Sequence, residues 1–385
     1  MTPHLFTPLA LGPVPLPNRI AVAPMCQYSA ADGCALDWHM QHLMTLAMSG
    51  AGLVMLEATA VERAGRITHG CLGLYSDDNE RALGRVLAAA RAAALPGTRF
   101  GIQISHAGRK GSAQRPWEGG RALVGDDDPW STQAPSALPF DEDWPVPDVL
   151  TDADIARIRD AFIQAARRAA RLGIEVIELH MAHGYLMHQF QSPLSNRRDD
   201  RWGGDVARRS AFALSIARAV RDAAPKDMAV GARITGTDWT EDGITPDDAA
   251  AFARALKENG LDFACVTSGG VALKAKIPLG PGYQVPLAAK VRRESGILTR
   301  AVGLIADPHQ AEAILARGEA DQVALARAFL DNPRWGWHAA ETLGVELAYP
   351  PQYARAKAAV WPGAKIARAE IARAGEDVSP ERLRA

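Results

Sequence analysis

The sequence has few cysteines, no C-x-x-C pair and no long apolar run. Its four cysteines, Cys26, Cys34, Cys71 and Cys265, indicate neither a disulfide framework nor a zinc knuckle. No stretch approaches the roughly 18 apolar residues that span a bilayer, and the N-terminus lacks the charged and then apolar layout of a signal peptide. A cytoplasmic protein is therefore expected.

A strong charge of either sign is also missing. The formal net charge is -1 over 385 residues, which gives no electrostatic reason to expect nucleic acid or an anionic membrane as a partner. The 48% hydrophobic and 23% charged fractions are typical of a globular protein with a substantial core. The length exceeds that of the usual single domain, but an α/β barrel reaches it as one unit.

Short apolar runs alternate with amphipathic helical patterns along the chain. Thr151 and Thr245 stand where helices are expected to begin. The helical patterns include residues 152–171, 205–223, 246–258 and 308–317. The predicted strands are residues 19–25, 53–61, 99–106, 176–182, 229–235, 263–269, 297–305 and 322–327. Eight strands, each followed by a helix, predict an α/β fold of the (β/α)8 TIM-barrel type.

Three segments interrupt this alternation. Residues 7–17 are rich in proline and predict a small hairpin that caps the N-terminal mouth of the barrel. Residues 111–150 follow the third strand, on the ligand-binding side, and predict a lid. The domain prediction is therefore a catalytic barrel over residues 1–338, with the lid as an insertion, and an appended tail over residues 339–385.

The segment after the predicted fourth strand is the most informative part of the chain. His180, His183 and Tyr185 follow an apolar run, so they lie at the carboxyl end of a strand, where parallel α/β architectures bind ligands. Two imidazoles supply N–H donors, and a phenol supplies an acidic O–H. Such a trio suits a substrate that gathers negative charge on a carbonyl or nitro oxygen and then needs a proton.

Two other interpretations of these histidines stay open. The His-x-x-His spacing also occurs in zinc sites, although no third ligand stands at a recognisable spacing here. The other interpretation is a structural histidine in the barrel wall whose ring is hydrogen-bonded to the backbone.

The ends of the other predicted strands carry a second set of polar and small residues. Gln103 and Arg233 end the third and fifth strands, where they can bind the polar edge of a flavin ring. An ion pair in the barrel interior is the alternative for Arg233. Small residues and an arginine end the last three strands and predict a phosphate site, formed by Ser268, Gly269, Gly303, Ala326 and Arg327.

Several motifs, in this order, resemble the Old Yellow Enzyme family of FMN-dependent ene-reductases. They are Pro24-Met-Cys-Gln-Tyr28, Gln103 with His106-Ala-Gly-Arg109, His180-x-x-His183-Gly-Tyr185, Ser195-Asn-x-Arg-x-Asp-x-Trp-Gly-Gly204, Arg233 and Arg327. The Cys26 and Tyr28 pair and the His/His form resemble the thermophilic-like branch, which includes bacterial xenobiotic reductases. The similarity extends from residue 5 to residue 353.

The resemblance implies a role for each matching residue. His180 and His183 would bind the electron-withdrawing oxygen of the substrate, Tyr185 would donate the proton, and Tyr28 would give a second substrate hydrogen bond. Cys26 would adjust the reduction potential of the flavin and the fit of the substrate. FMN would contact Ala23, Pro24, Met25, Cys26, Ala58, Gln103, Arg233, Gly303, Ala326 and Arg327.

The implied activity is the reduction of activated C=C bonds in α,β-unsaturated carbonyls, with nitro compounds as a further class and NADPH or NADH as reductant. Hydride would pass from reduced FMN to the β-carbon, and the proton from Tyr185 to the α-carbon. Two residues depart from the family pattern. Ala326 stands where glycine is frequent, and Val302 stands where an aromatic residue can line the pocket.

The tail adds an expectation about assembly. In the thermophilic-like branch, an arginine in a Gln-Tyr-x-Arg context reaches into the active site of the neighbouring protomer, and Arg355 matches it. The resemblance therefore implies a homodimer, or a tetramer of two dimers, with a shared site and with the tail in the interface.

Two other functions are alternatives to an ene-reductase. A dienoyl-thioester reductase shares such a barrel but continues into an iron–sulfur cysteine cluster and further domains. A metal-dependent hydrolase would use His180 and His183 as ligands.

Overall fold

The computed structural model describes residues 2–364 and residue 366. Eight parallel strands close into a barrel in the order β3-β4-β5-β8-β9-β10-β11-β12, and at least one helix follows each strand, so the predicted TIM barrel is confirmed. The strands are β1 (Leu9–Leu11), β2 (Val14–Leu16), β3 (Ile20–Val22), β4 (Leu53–Ala60), β5 (Arg99–Ser105), β6 (Gln133–Ala134), β7 (Asp148–Val149), β8 (Val176–Met181), β9 (Ala229–Thr235), β10 (Phe263–Thr267), β11 (Leu298–Ala301) and β12 (Gln322–Leu325). The helices are α1 (Asp37–Ala47), α2 (Asp77–Ala93), α3 (Asp152–Arg171), α4 (Leu186–Gln191), α5 (Val206–Ala223), α6 (Pro246–Glu258), α7 (Val285–Ser295), α8 (Pro308–Ala316), α9 (Arg327–Asp331) and α10 (Trp335–Thr342).

Several barrel strands end earlier than the sequence predicts. The observed β3, β10, β11 and β12 stop two to four residues before the carboxyl ends expected from the apolar runs. Most of the residues beyond these ends leave the hydrogen-bonded ladder and line a cavity at the mouth of the barrel. Arg327, predicted as the last residue of a strand, is instead the first residue of α9.

The barrel wall forms where the sequence is continuously apolar. All eight residues of β4 and all six residues of β8 are buried, because the barrel interior covers one face and the helices cover the other. The predicted helix starts are confirmed: the Thr151 and Thr245 hydroxyls accept hydrogen bonds from the backbone N–H groups of Asp154 and Asp248. Among the described residues, no helix is both long enough and apolar enough to cross a membrane.

An N-terminal hairpin closes the lower end of the barrel. β1 and β2 pair antiparallel, and their apolar side chains are buried against the first residues of four barrel strands. These strand residues are Leu53, Val176, Ala229 and Phe263. The hairpin therefore replaces solvent at this mouth with apolar surface, and ligands are left with the opposite, carboxyl end of the strands.

Two other irregular segments are the predicted lid, residues 111–150, on the side of the carboxyl ends of the barrel strands, and the tail at the surface. Residues 111–150 contain 3-10 turns and the short parallel pair β6–β7. The predicted boundary at residues 338 and 339 falls inside α10, whose Ala339 and Ala340 are buried. Beyond α10, Tyr349 lies against Trp337 at a ring-centroid distance of 4.2 Å, which holds the start of the tail on the barrel.

Candidate active site

The loop after β8 brings the three predicted catalytic rings together. The centroid of the His180 ring lies 5.1 Å from that of His183 and 4.8 Å from that of Tyr185, with both pairs edge-to-face. His183 has φ 58°, a left-handed conformation that is uncommon for a residue with a side chain. Tyr185 directly precedes α4, so its position is fixed by the first turn of that helix.

Burial keeps all three rings uncharged. Burial, and then the nearby Arg233 guanidinium, hold the pKa of His180 and of His183 well below the usual histidine range. Burial likewise raises the pKa of the Tyr185 phenol well above its ordinary value. At neutral pH the cluster therefore offers two neutral imidazoles and a protonated phenol.

Hydrogen bonds set which ring nitrogens can donate. His180 Nδ1 accepts the backbone N–H of Ala182 at 3.3 Å, so the proton of the neutral ring is on Nε2, which is free to donate to a ligand. His183 Nε2 lies 2.9 Å from the Thr267 hydroxyl, which ties the His183 ring to the end of β10. His180 pairs with Arg233 in the β8–β9 register, which explains the proximity of that cation.

A cavity of about 470 Å3 opens beside these rings at the carboxyl end of the barrel. His183 lines it, and so do seven of the residues predicted to bind the cofactor: Ala23, Pro24, Arg233, Ser268, Gly303, Ala326 and Arg327. Arg233 lies in β9 and the others follow β3, β10, β11 and β12, as a shared site of a barrel requires. The predicted Met25, Cys26, Ala58, Gln103 and Gly269 do not line this cavity. Ala58 and Gln103 are paired neighbours in β4 and β5, and the other three follow β3 and β10.

The donors in this cavity suit a large planar ligand that carries phosphate. Arg233 Nε is buried without a hydrogen-bond partner, and its guanidinium has no ion pair among residues 2–364. Such a group is costly unless a ligand completes it. Arg327 adds a cation to the cavity lining, and the Ser268 hydroxyl lines the cavity while it donates to Gln284. Gly303, at φ +112°, lets the backbone line the cavity without a side chain.

The sequence allowed Arg233 to form an ion pair in the barrel interior. In the structure, Arg300 forms such an ion pair and Arg233 does not. The Arg300 guanidinium donates to Glu178 at 2.8 Å and to Gln322 at 2.7 Å, and Arg300 and Glu178 are both almost fully buried. Glu178 also accepts from Gln103 Nε2 at 2.7 Å. A carboxylate can only accept, so the Gln103 amide is oriented with its carbonyl oxygen free to accept a hydrogen bond from a ligand.

Cys26 and Tyr28 form a second polar edge. Burial, and then the Glu57 carboxylate, hold the pKa of the Cys26 thiol well above its ordinary value, so Cys26 is a neutral thiol. Burial, and then the nearby Cys26, raise the pKa of the Tyr28 phenol, whose ring meets Trp117 of the lid segment edge-on at 5.9 Å. Both residues stand next to the cavity wall formed by Ala23 and Pro24.

The sequence analysis missed several residues of this site. Tyr283 and Gln284 line the cavity, and Gln284 accepts hydrogen bonds from the Thr267 and Ser268 hydroxyls at 3.1 and 2.7 Å. They end an irregular segment after β10 that has no periodic signal. His188, in α4, accepts the Gly184 N–H on Nδ1 at 2.8 Å; a buried histidine on an apolar helix face gives no sequence signal of this role.

Of two further predicted residues, Arg355 lies away from the cavity and Val302 lines it. Arg355 is exposed on the 3-10 turn Pro351–Ala356, does not line the cavity and has no ion pair among the described residues. Val302 lines the cavity as part of the apolar interior cluster that also contains Ala23 and Ala324. Val302 therefore belongs to the cavity floor.

Several known proteins are similar to this chain over most of its length. A family model described as the NADH:flavin oxidoreductase / NADH oxidase family matches residues 4–346. The chain is 41% identical over 357 residues to an NADPH dehydrogenase of Geobacillus thermodenitrificans (strain NG80-2), which covers 92% of this chain and 99% of that protein. Among solved structures, morphinone reductase superposes with a TM-score of 0.73 at 27% identity, over 91% of this chain and 93% of that one. A 2-naphthoyl-CoA reductase shares the fold with a TM-score of 0.79 at 24% identity, over 89% of this chain and 53% of that one.

These relatives set aside the metal-dependent hydrolase, because the matching family consists of flavin oxidoreductases. In the described part of the chain, no group of three or more His, Cys, Asp or Glu side chains is placed to hold a metal ion. The chain therefore belongs to the NADH:flavin oxidoreductase / NADH oxidase family, the Old Yellow Enzyme family that its motifs resemble, and is an oxidoreductase with FMN as cofactor and a nicotinamide nucleotide as reductant.

Proposed function

We propose that this enzyme reduces the activated C=C bond of α,β-unsaturated carbonyl compounds. The observation that carries the proposal is the cluster of His180, His183 and Tyr185, in which neutral donors and one protonated phenol meet at the wall of the cofactor cavity. An enone that accepts hydride at its β-carbon develops negative charge on its oxygen and then needs a proton at its α-carbon. The cluster supplies donors for the first need and an acid for the second.

The cavity seats the cofactor in this proposal. The buried Arg233 Nε and the carbonyl oxygen of Gln103 complement the polar edge of the flavin ring, and Arg327 and Ser268 bind its phosphate end. When bound, FMN takes hydride from the nicotinamide nucleotide and supplies it to the alkene. The ring of His183 lines the same cavity, so a substrate held by this histidine lies against the flavin.

The protein residues then act on the substrate oxygen and α-carbon. His180 Nε2–H donates to the carbonyl oxygen, and His183 joins it when its Nε2–H turns from the Thr267 hydroxyl to the substrate. The two hydrogen bonds polarise the alkene and stabilise the enolate-like charge. The Tyr185 O–H breaks as its proton moves to the α-carbon, and water returns a proton to the phenolate. In sum, one nicotinamide nucleotide is oxidised and one C=C bond gains a hydride and a proton.

Nitroalkenes and other nitro compounds form a second acceptor class for the same site. A nitro group presents paired oxygens that can accept from both histidines, as a carbonyl oxygen does. This class follows from the donor arrangement and needs no additional residue.

The assembly belongs to the same proposal. Arg355 has an exposed guanidinium without an ion pair among the described residues, and the tail that carries it is fixed by contacts of Tyr349 and Tyr353 with Trp337. We infer that Arg355 reaches the substrate cavity of a second copy of the chain, in a homodimer or a tetramer of such dimers. The contact would be reciprocal across a two-fold axis.

An anaerobic titration tests the activity. The purified yellow protein is first reduced with NADPH or NADH, and bleaching of the flavin absorbance is followed. An enone such as cyclohexenone is then added, and the flavin should reoxidise as the saturated ketone forms in equal amount. Reduction without any reoxidation by a panel of enones and nitroalkenes would refute the proposed function.

A further inference from the structure

One ammonium group binds two of the loops that form the site. Lys110 Nζ donates to the backbone carbonyl of His183 at 2.9 Å and to that of Gly270 at 3.0 Å. The two carbonyls come from different parts of the barrel, one from the loop after β8 and the other from the loop after β10. Lys110 itself lies in the turn after β5, so three strand ends meet at this single cation.

These two loops touch each other, backbone against backbone. A Cβ added to Gly184 would lie 2.2 Å from the Gly270 carbonyl oxygen, and a Cβ on Gly270 would lie 2.7 Å from His183 Cα. At such a contact the partial negative charges of both carbonyl oxygens converge, and a cation between them offsets their repulsion. The left-handed conformation of His183 at φ 58° is part of the same arrangement, because it directs the His183 carbonyl toward Lys110.

The same ammonium also faces two aromatic rings. It lies 5.3 Å from the centroid of the Tyr185 ring and 4.5 Å from that of Phe140, which belongs to the lid segment. Both distances are within the range of cation–π attraction. A positive charge at this distance from Tyr185 also stabilises the negative charge that the phenol acquires when it gives up its proton.

No carboxylate balances this charge: within residues 2–364, Lys110 has no ion pair. Burial, and then the neighbouring Arg109, lower the pKa of Lys110 to about 8. A partly buried cation held only by carbonyls and ring faces costs free energy. A residue that served packing alone would be better as an apolar side chain.

We propose that Lys110 is a positioning residue for the acceptor half-reaction, whose ammonium clamps the loops after β8 and β10 and thereby sets His183 and Tyr185 for proton delivery. The inference rests on the proposed function and deepens it, because it assigns to a residue outside the catalytic trio the orientation of the proton donor. Lys110 acts through the His183 backbone and through its charge near Tyr185, and does not itself touch the substrate.

Four variants separate the parts of this role. Lys110→Met removes charge and donors, Lys110→Gln keeps N–H donors without charge, and Lys110→Arg keeps both. Lys274→Met is the matched control, because it removes an exposed ammonium from the loop after β10. FMN content, flavin reduction by NADPH and reoxidation by cyclohexenone are measured separately for each protein by stopped flow, in H2O and in D2O.

We expect reoxidation to slow about ten- to a hundredfold in K110M, by analogy with the effect of a misplaced catalytic group. Flavin reduction should slow less, because it needs no proton from Tyr185. The solvent isotope effect on reoxidation should grow in K110M, K110Q should be intermediate, and K110R and K274M should stay near wild type. Equal slowing of both half-reactions with an unchanged isotope effect, or wild-type behaviour of K110M, would overturn the proposal.

A crystal structure of K110Q gives a readout that needs no acceptor and no bound substrate. A K110M crystal structure, where that variant folds, should show the His183 and Gly270 carbonyls displaced from their positions around Nζ, whereas K110Q should keep them closer. Unmoved carbonyls in both variants would overturn the clamp. If reduced wild-type enzyme is not reoxidised by any enone, the proposed function fails, and the crystal structures still decide whether Lys110 orients the loops.

Discussion

Tyr185 differs from the two histidines beside it in the proton that it can release. The pKa of both imidazoles is lowered by burial, so each ring is neutral, and a neutral imidazole N–H donates a hydrogen bond but is a very weak acid. The phenol is the stronger acid of the cluster. Within the proposed function, proton transfer to carbon is therefore assigned to Tyr185, and oxygen binding to the histidines.

The Tyr185→Phe variant tests this division. Removing the hydroxyl should slow alkene-driven reoxidation by about 10²–10⁴, the usual contribution of a general acid. Flavin reduction by NADPH should stay near wild type, because hydride transfer to the flavin needs no proton from the phenol. Stopped-flow measurement of each half-reaction decides it, with Tyr75→Phe as a control away from the cavity. Equal slowing of both would reassign Tyr185 to binding or structure.

Cys26 should affect the potential of the flavin and not its retention. The thiol is neutral and lies near Tyr28, so Cys26→Ser replaces a polarisable sulfur with a more polar hydroxyl beside the cavity wall. We expect FMN content to be unchanged, the reduction potential to shift and the apparent enone affinity to change. Potentiometric titration of C26S against Cys34→Ser, another partly exposed cysteine, provides the check. An unchanged potential and unchanged enone kinetics would leave Cys26 as a packing residue.

At the level of single residues, sequence reasoning succeeded where the chemistry is local. His180, His183 and Tyr185 lie within six positions of one another, so a strand end is enough to bring them together. Arg233 and Arg300 show the limit. Both are arginines in predicted barrel strands, and only the three-dimensional register shows that Arg300 faces Glu178 while Arg233 faces a cavity.

The strand end of β8 gives the protein a pH-dependent stability. Because His180 and His183 are held neutral in the fold, the unfolded chain binds more protons at these two positions once the pH falls below about 6.5, the ordinary pKa of histidine. Their contribution to the free energy of unfolding is therefore fully present above that pH and is lost as the pH falls.

A double variant, His180→Asn with His183→Asn, should reduce this loss. We expect its thermal unfolding midpoint to fall less steeply than that of the wild type between neutral and mildly acidic pH. Replacement of the exposed His309 by Asn should leave the wild-type slope unchanged. Midpoints measured at a series of pH values provide the test, and identical slopes for the double variant and the wild type would contradict the burial argument.

At the level of elements, strands and helices were predictable, but the mouth of the barrel was not. Hydrophobic periodicity located all eight barrel strands because their residues are buried on both faces. The segment 270–284 has no period, since its shape is set by contacts such as those of Gly270 with His183 and Lys110. Those contacts join residues that are distant in sequence, and Gln284 and Lys110 were missed for this reason.

At the scale of the whole molecule, the role that we propose for Arg355 depends on assembly. Arg355→Ala should weaken the binding of acceptor or nucleotide without lowering FMN content, because the arginine lies outside the cavity of its own chain. Light scattering gives the oligomeric state, and steady-state kinetics gives KM and kcat for the variant. Arg334→Ala, near the same tail, is a contrasting variant, since that guanidinium stacks on Tyr353 within one chain. A fully active monomeric wild-type enzyme would refute the shared site.

The hairpin at the lower end of the barrel has a consequence for the order of events. Because the apolar side chains of β1 and β2 close one end of the barrel, ligands would reach the flavin through the opposite end, near His183. We therefore expect the reductant and the acceptor to bind in turn at this mouth, the first leaving before the second enters. The two half-reactions would then use the same binding space and would be separated in time.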